Sequence, residues 1–167
     1  MQYLIEKMTE NHWERVKKIY LQGIHSNLAT FQTDAPEWET WNSGHTIACR
    51  FVAIVQGEVE GWVAISPASS RCCYQGVGEV SLYIDEVFRG KGMGAFLLNY
   101  LVLESEKQGF WSLYSAIIKE NEASIFLHEK CGFKKIGIRE KLAKMKSTGK
   151  WHDVVLMERR STVIGIK

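Results

Sequence analysis

The spacing of apolar and polar residues changes several times along this chain, and each change marks an element. Tyr3 to Met8 reads as a first strand. Thr9 is placed to cap a helix from Glu10 to Gln22, with Trp13, Val16, Ile19 and Tyr20 at helical spacing and Gly23 placed to end it. Ile24 to Pro36 reads as a loop and Glu37 to Trp41 as a short helix. The period then becomes that of strands. Phe51 to Val55 and Val59 to Ile65 flank the tight turn Gln56-Gly57, which predicts a hairpin. After a loop from Ser66 to Val77, Val80, Leu82 and Ile84 alternate with Ser81 and Tyr83, so Glu79 to Ile84 forms a third strand. A strongly apolar helix runs from Met93 to about Gln108 and stops at Gly109. Trp111 to Ile118 is a strand, Asn121 to Lys130 a helix closed by Cys131-Gly132, and Phe133 to Arg139 and Trp151 to Glu158 are two last strands. This order predicts an α/β chain: one mixed sheet with helices on both faces.

Length and composition narrow the class. The 167 residues suit one domain, 1–167, with one core, and neither repeats nor a linker divide it. With 46% hydrophobic and 24% charged residues the chain is an ordinary globular one. The formal net charge of +2 is too weak a bias to argue for a partner such as nucleic acid or a membrane surface, and neither is expected, so any phosphate binding must be local. No run approaches the roughly 18 apolar residues of a membrane span. The start Met1-Gln2-Tyr3-Leu4-Ile5-Glu6-Lys7 lacks a signal peptide's basic and apolar regions, so a cytoplasmic protein is expected. Cys49, Cys72, Cys73 and Cys131 have no framework spacing and read as reduced thiols; no Cys or His pair has ligand spacing, so no metal is expected.

The informative stretch is Arg89-Gly90-Lys91-Gly92-Met93-Gly94 between a strand and a helix. A helix start leaves N–H groups unpaired and carries partial positive charge, glycines let backbone approach an anion, and Arg89 and Lys91 add charge. GxxxxGK[ST] is absent, since Gly149-Lys150 is followed by Trp151. GxGxxG also fails: the third glycine, Gly94, comes one residue early, and Trp111 to Ile118 carries no acidic residue for a ribose. The plainer alternative is a glycine-rich turn with no ligand.

The R-G-K-G-M-G loop resembles the R/Q-x-x-G-x-G/A signature of the GNAT superfamily of N-acetyltransferases. The similarity runs from Tyr3 to Arg159 and is nearest to the phosphinothricin and methionine sulfoximine acetyltransferases. It is carried by Ala29-Thr30-Phe31 with Pro36, by Arg71 to Glu79, by the loop, by Asn121-Glu122-Ala123-Ser124-Ile125-Phe126-Leu127-His128-Glu129-Lys130-Cys131-Gly132-Phe133, and by Trp151-His152-Asp153. The resemblance implies the GNAT fold, a single mixed, mostly antiparallel sheet of about seven strands with helices on both faces. It implies acetyl-CoA as co-substrate, a small amine as acceptor and a homodimer.

Residue by residue, the resemblance implies the following roles. Arg89 to Gly94 and Ala95 take the CoA diphosphate. The strand at Leu82, Tyr83 and Ile84 splays from Ser112 to Ile118, admits the pantetheine and offers a backbone N–H to the oxyanion. Glu79, ten residues before Arg89, is the base for a protonated amine; the alternative is a solvent-facing carboxylate at a strand end. His128 stands where many relatives carry a tyrosine acid; it protonates the leaving sulfur, bonds near it, or merely faces solvent or CoA. Asn121 bonds the pantetheine, caps the helix, or does both. Arg71 and Tyr74, with Cys72 and Cys73 between them, approach the acceptor, and arginine suits a carboxylate; an exposed loop is the other reading. Thr30 and Phe31 form a pocket wall or core, and Lys150, Trp151 and His152 close the pocket. Two departures stand out: the stretch from Pro36 to Phe51 is shorter than in that subgroup, and Cys72-Cys73 replaces smaller or more polar residues. Two other functions fit the same motifs, acetylation of a protein amine in an open groove and a CoA-binding sensor without turnover. A covalent route through Cys72 or Cys73 is the other mechanism.

Overall fold

The computed structural model describes residues 2–167. Seven strands form one sheet in the order β1-β2-β3-β4-β5-β7-β6. They are β1 (Leu4–Lys7), β2 (Arg50–Val55), β3 (Glu58–Pro67), β4 (Val77–Ile84), β5 (Ser112–Ile118), β6 (Lys134–Lys144) and β7 (Trp151–Arg160). Every neighbouring pair is antiparallel except β4 and β5. Among the described residues there are four α-helices: α1 (Trp13–His25), α2 (Trp38–Gly44), α3 (Met93–Lys107) and α4 (Glu122–Lys130). The mixed, mostly antiparallel seven-stranded sheet is the one expected.

Strand alternation divides the core in two. Phe51, Ala53, Val63 and Ile65 turn to one face, where they pack with Met93, Leu97, Leu98 and Leu101 of α3 and with Ile125 of α4. Val52, Trp62 and Ala64 turn to the other face and meet Trp13, Val16 and Ile19 of α1 and Trp41 of α2. Helix α3 is apolar because it lies between the sheet and α4.

Some boundaries differ from the sequence expectation, for physical reasons. Residues Glu10–His12 form a 3₁₀ turn closed by Thr9, whose N–H donates to His12 Nδ1 at 3.1 Å, and α1 begins after it. Gly23 does not stop α1, which continues to His25. A Cβ there would lie 2.6 Å from the Tyr83 ring, so the glycine serves a close helix-to-sheet approach. Helix α2 runs past Trp41 to Gly44, β6 runs past Arg139 to Lys144, and Asn121 caps α4 from outside it.

The feature that positions a site is the one parallel pair. Strands β4 and β5 are joined only at Val77↔Ser112, Gly78↔Leu113 and Glu79↔Tyr114. Beyond that point β4 stays on β3 as far as Ile84, and β5 stays on β7 as far as Ile118. The two halves of the sheet therefore part, leaving backbone N–H and C=O groups of facing strands without a ladder partner across the gap.

Candidate active site

A cavity of about 360 Å³ occupies this parting. Glu79, Leu82 and Tyr83 of β4 line it on one side and Ser115 and Ile117 of β5 on the other, with His128 of α4 beneath. Thr30, Phe31 and Asn121 also line it. The structure thus gathers Glu79, Leu82, Tyr83, Asn121, His128, Thr30 and Phe31, which the sequence reading had placed together.

Glu79 is half-buried at the last residue where β4 and β5 remain paired. Its Oε2 accepts the Tyr114 hydroxyl at 3.3 Å. Burial and then the Glu79 charge push the Tyr114 phenol above its ordinary value, so it remains a donor. Glu79 is therefore not a free strand-end carboxylate: it is held at the head of the cavity.

His128 is 3% exposed, which excludes the solvent-facing alternative. Its Nδ1 lies 2.7 Å from the Ser124 carbonyl, which only accepts, so the proton is on Nδ1. The bare Nε2 then accepts the Ser115 hydroxyl at 2.9 Å. Burial pulls His128 below the ordinary histidine value, and the Ser124 bond offsets part of that. The ring is neutral and fixed.

Asn121 does cap α4: its Oδ1 accepts from the Ser124 N–H at 3.3 Å, leaving its amide N–H groups for the cavity it lines. Burial raises the phenols of the half-buried Tyr20 and Tyr83, and the neighbouring Thr30 side chain offsets part of that. Phe31 belongs to neither core cluster and sits with its ring centroid 6.1 Å from that of His152.

The glycine loop joins β4 to α3 at the foot of the gap. Gly90 and Gly92 have φ of 73° and 87°, and an added Cβ at either would meet nothing within 4 Å. Their outer face is open, so the glycines serve the turn and leave room for a ligand. Arg89 and Lys91 are exposed; Arg89 Nε donates to the Ile84 carbonyl at 3.1 Å and Tyr3 donates to the Lys91 carbonyl at 2.6 Å. The N–H groups of Met93, Gly94 and Ala95 open α3 before its first internal bond, from Phe96 to Gly92. Asp85 anchors the loop from behind. It accepts from Arg15 at 2.9 Å, from Gln22 at 2.8 Å and from Val87 N–H at 2.9 Å. Burial alone would raise its pKa; the bonds from Gln22, Val87 and Arg15 outweigh burial and hold it below the ordinary carboxylate value.

Other expected residues lie apart. Arg71, Cys72, Cys73 and Tyr74 are exposed on a 3₁₀ turn before β4 and line no part of the cavity, with the Arg71 guanidinium 5.7 Å from the Tyr74 ring. Trp151 is 54% exposed, and His152 is buried with Nδ1 3.0 Å from Glu120; Leu142 and Val154 close the cavity from that hairpin instead. Sequence reasoning missed Tyr114, Ser115, Ser124 and Asp85. Only Ser124 had a signal, its i, i+4 spacing to His128 on one helix face; the others depend on sheet register or on contacts across about 60 residues.

Comparison with known proteins gives the family and the fold. The sequence model of the acetyltransferase (GNAT) family matches residues 13–133. The Bacillus subtilis protein YwnH, provisionally named a phosphinothricin acetyltransferase, is 35% identical over 152 residues, 87% of this chain and 91% of its own. The phosphinothricin N-acetyltransferase of Streptomyces viridochromogenes is 32% identical over 140 residues, 81% of this chain and 75% of its own. Among solved structures, a GNAT superfamily phosphinothricin acetyltransferase from Sinorhizobium meliloti in complex with acetyl-CoA superposes with a TM-score of 0.85 at 25% identity, covering 96% of this chain and 89% of that one.

Proposed function

The chain belongs to the acetyltransferase (GNAT) family, and from that premise we propose that it moves the acetyl group of acetyl-CoA to the amine of a small amino-acid-like acceptor of the phosphinothricin and methionine sulfoximine type. The observation that carries the reading is the parting of β4 and β5 immediately after Glu79, which sets a carboxylate at the head of a cavity whose foot is an open glycine loop.

Each residue then has a task. Residues Arg89 to Ala95 receive the diphosphate, through backbone N–H groups and two cations. The unpaired edges of β4 and β5, with the Asn121 amide, bond the pantetheine amides, and a backbone N–H between Leu82 and Ile84 takes the carbonyl oxygen as it becomes an oxyanion. Glu79 accepts the proton of the acceptor's ammonium, directly or through water, with Tyr114 holding its other side. The freed amine nitrogen forms a bond to the thioester carbon, the carbon–sulfur bond breaks, and the CoA thiolate takes up a proton. That proton is the one the attacking nitrogen sheds as the amide forms; His128, neutral and accepting the Ser115 hydroxyl, holds that side chain in place beside the gap. Cys72 and Cys73 lie outside the cavity, which favours direct attack over an acetylated cysteine. A homodimer accompanies this reading.

Thiol release from acetyl-CoA with a panel of amines tests the proposal. Release with methionine sulfoximine or phosphinothricin, and none with peptides, is the expected result. Release with peptides alone would move the reading to a protein acetyltransferase, and silence with every amine to a CoA sensor.

A further inference from the structure

A second cavity, of about 520 Å³, opens beside the first and shares Tyr20, Gln32, Ser81 and Tyr83 with it. The shared residues make one continuous groove, which runs away from the CoA loop toward α2. The bay is walled by Tyr20, Trp41, Trp62 and Tyr83, with Asp34 and His45 as its ionisable groups.

The walls are held rigid by one another. Trp62 and Tyr83 stack with centroids 4.8 Å apart, Tyr20 meets both edge-on at 5.7 and 4.9 Å, and Trp41 meets Trp62 edge-on at 5.6 Å. A stack or edge contact fixes each ring against its neighbour, so the apolar lining keeps one shape. Aromatic rings favour offset-stacked or edge-to-face contact with a further ring, so such a lining suits an aromatic visitor. Trp41 is 3% and Trp62 1% exposed, so the walls are set before any ligand arrives.

The charge of the groove points the same way. Glu79 lines the first cavity and Asp34 the second, and among the described residues no Lys or Arg lines either. Arg50, behind the bay, lies over the Trp38 and Trp41 rings and donates to Asn42. His45 is neutral: its Nδ1 donates to the Trp41 carbonyl at 2.6 Å, and burial lowers its pKa. An anionic side group would meet Asp34 with no partner, whereas an uncharged ring loses little and gains apolar contact.

Resting on acetyl transfer to an amino-acid-like acceptor, but departing from the phosphinothricin type, we propose that this bay is the side-chain subsite of the acceptor and selects amino acids with an aromatic, uncharged side chain. The amine lies at Glu79, and the side chain extends over Tyr83 and Tyr20 into the bay. A volume of about 520 Å³ exceeds what a compact phosphinate needs and accommodates an indole or phenyl ring.

The test is thiol release by the full chain with tryptophan, phenylalanine, alanine and phosphinothricin. The two aromatic acceptors are expected to show kcat/KM at least about tenfold above the other two, the scale on which apolar pockets discriminate. Thr40 is exposed at the rim of the bay, so Thr40→Phe fills it without disturbing the core. That variant is expected to reduce the tryptophan-to-alanine ratio about tenfold, and Asp34→Arg to narrow the disadvantage of phosphinothricin. Phosphinothricin as the best acceptor, or equal losses for tryptophan and alanine in Thr40→Phe, would overturn the proposal. Silence with every amine rejects acetyl transfer and leaves the bay to equilibrium dialysis with CoA present. Tighter retention of tryptophan than of phosphinothricin then supports it, and the reverse overturns it.

Discussion

At one end of the groove, the residues we assign to the CoA diphosphate run consecutively from Arg89 to Ala95 and act through backbone N–H groups at the start of α3. At the other end Tyr20, Phe31, Trp41, Tyr83 and Leu142 come from α1, the loop after it, α2, β4 and β6, and act through side chains. The first end is a local turn whose shape two positive φ angles dictate. The second exists only once the sheet has formed and both of its faces are covered. A backbone site is insensitive to most side-chain changes but intolerant of any that alter its dihedrals. A side-chain site is the reverse, which lets the acceptor end vary while the CoA end stays constant.

Glu79 stands where the two ends meet, and its loss is expected to have the largest effect. Glu79→Gln keeps the size and the Tyr114 hydrogen bond but removes the base. Turnover should fall about 10²-fold, the usual worth of a positioned base, while calorimetry finds acetyl-CoA binding unchanged. Near-normal turnover would remove Glu79 from the chemistry. Loss of acetyl-CoA binding would mean that the two ends are one coupled site.

A smaller effect isolates the CoA end. Gly92 has φ of 87°, a region that costs a β-branched residue roughly 1–3 kcal/mol. Gly92→Val should raise the KM for acetyl-CoA about tenfold by forcing the turn to shift, and leave the acceptor KM where it was. Equal movement of both constants would break the division into a backbone end and a side-chain end.

The same division explains what could be read from the sequence. Arg89 to Gly94 was legible because its residues are adjacent and the helix they open begins at the expected Met93. The strand pattern gave the seven-stranded sheet for a similar reason, since alternation is a property of each segment alone. The end of α1 was misread because Gly23 answers to Tyr83, 60 residues away, and not to its neighbours. The gap between β4 and β5 depends on where a three-residue pairing stops, which no local pattern encodes. Arg71 to Tyr74 were carried over by resemblance, and the structure places them on an exposed turn instead of in the groove. The aromatic bay was invisible for the complementary reason: Trp13, Trp41, Trp62 and Tyr83 all look like core residues in sequence, and only packing shows which of them border empty space.

The smallest expected effect compares the two ends through their histidines. His45 beside the acceptor bay and His128 under the CoA gap are built alike, each with Nδ1 donating to the carbonyl four residues earlier, Trp41 and Ser124. In both, burial is the main cause of a pKa below the ordinary value of 6.5; a backbone bond opposes it, and Arg50 adds to it at His45. The folded chain therefore resists protonation at these rings, and the unfolded chain does not. Above pH 6.5 neither state binds the proton and the histidines contribute nothing. As pH falls below 6.5 the unfolded state gains protons first, so stability falls, at most by about 1.4 kcal/mol per pH unit for each ring. Asp85 adds its own loss only at lower pH, because its pKa lies below 3.8. Between pH 7 and 5, urea unfolding of His128→Gln should show a shallower fall in stability than the parent, and the double variant with His45→Gln a shallower fall still. An unchanged slope in His128→Gln would mean that His128 is already protonated in the fold, and would reverse its assignment as the neutral acceptor of the Ser115 hydroxyl.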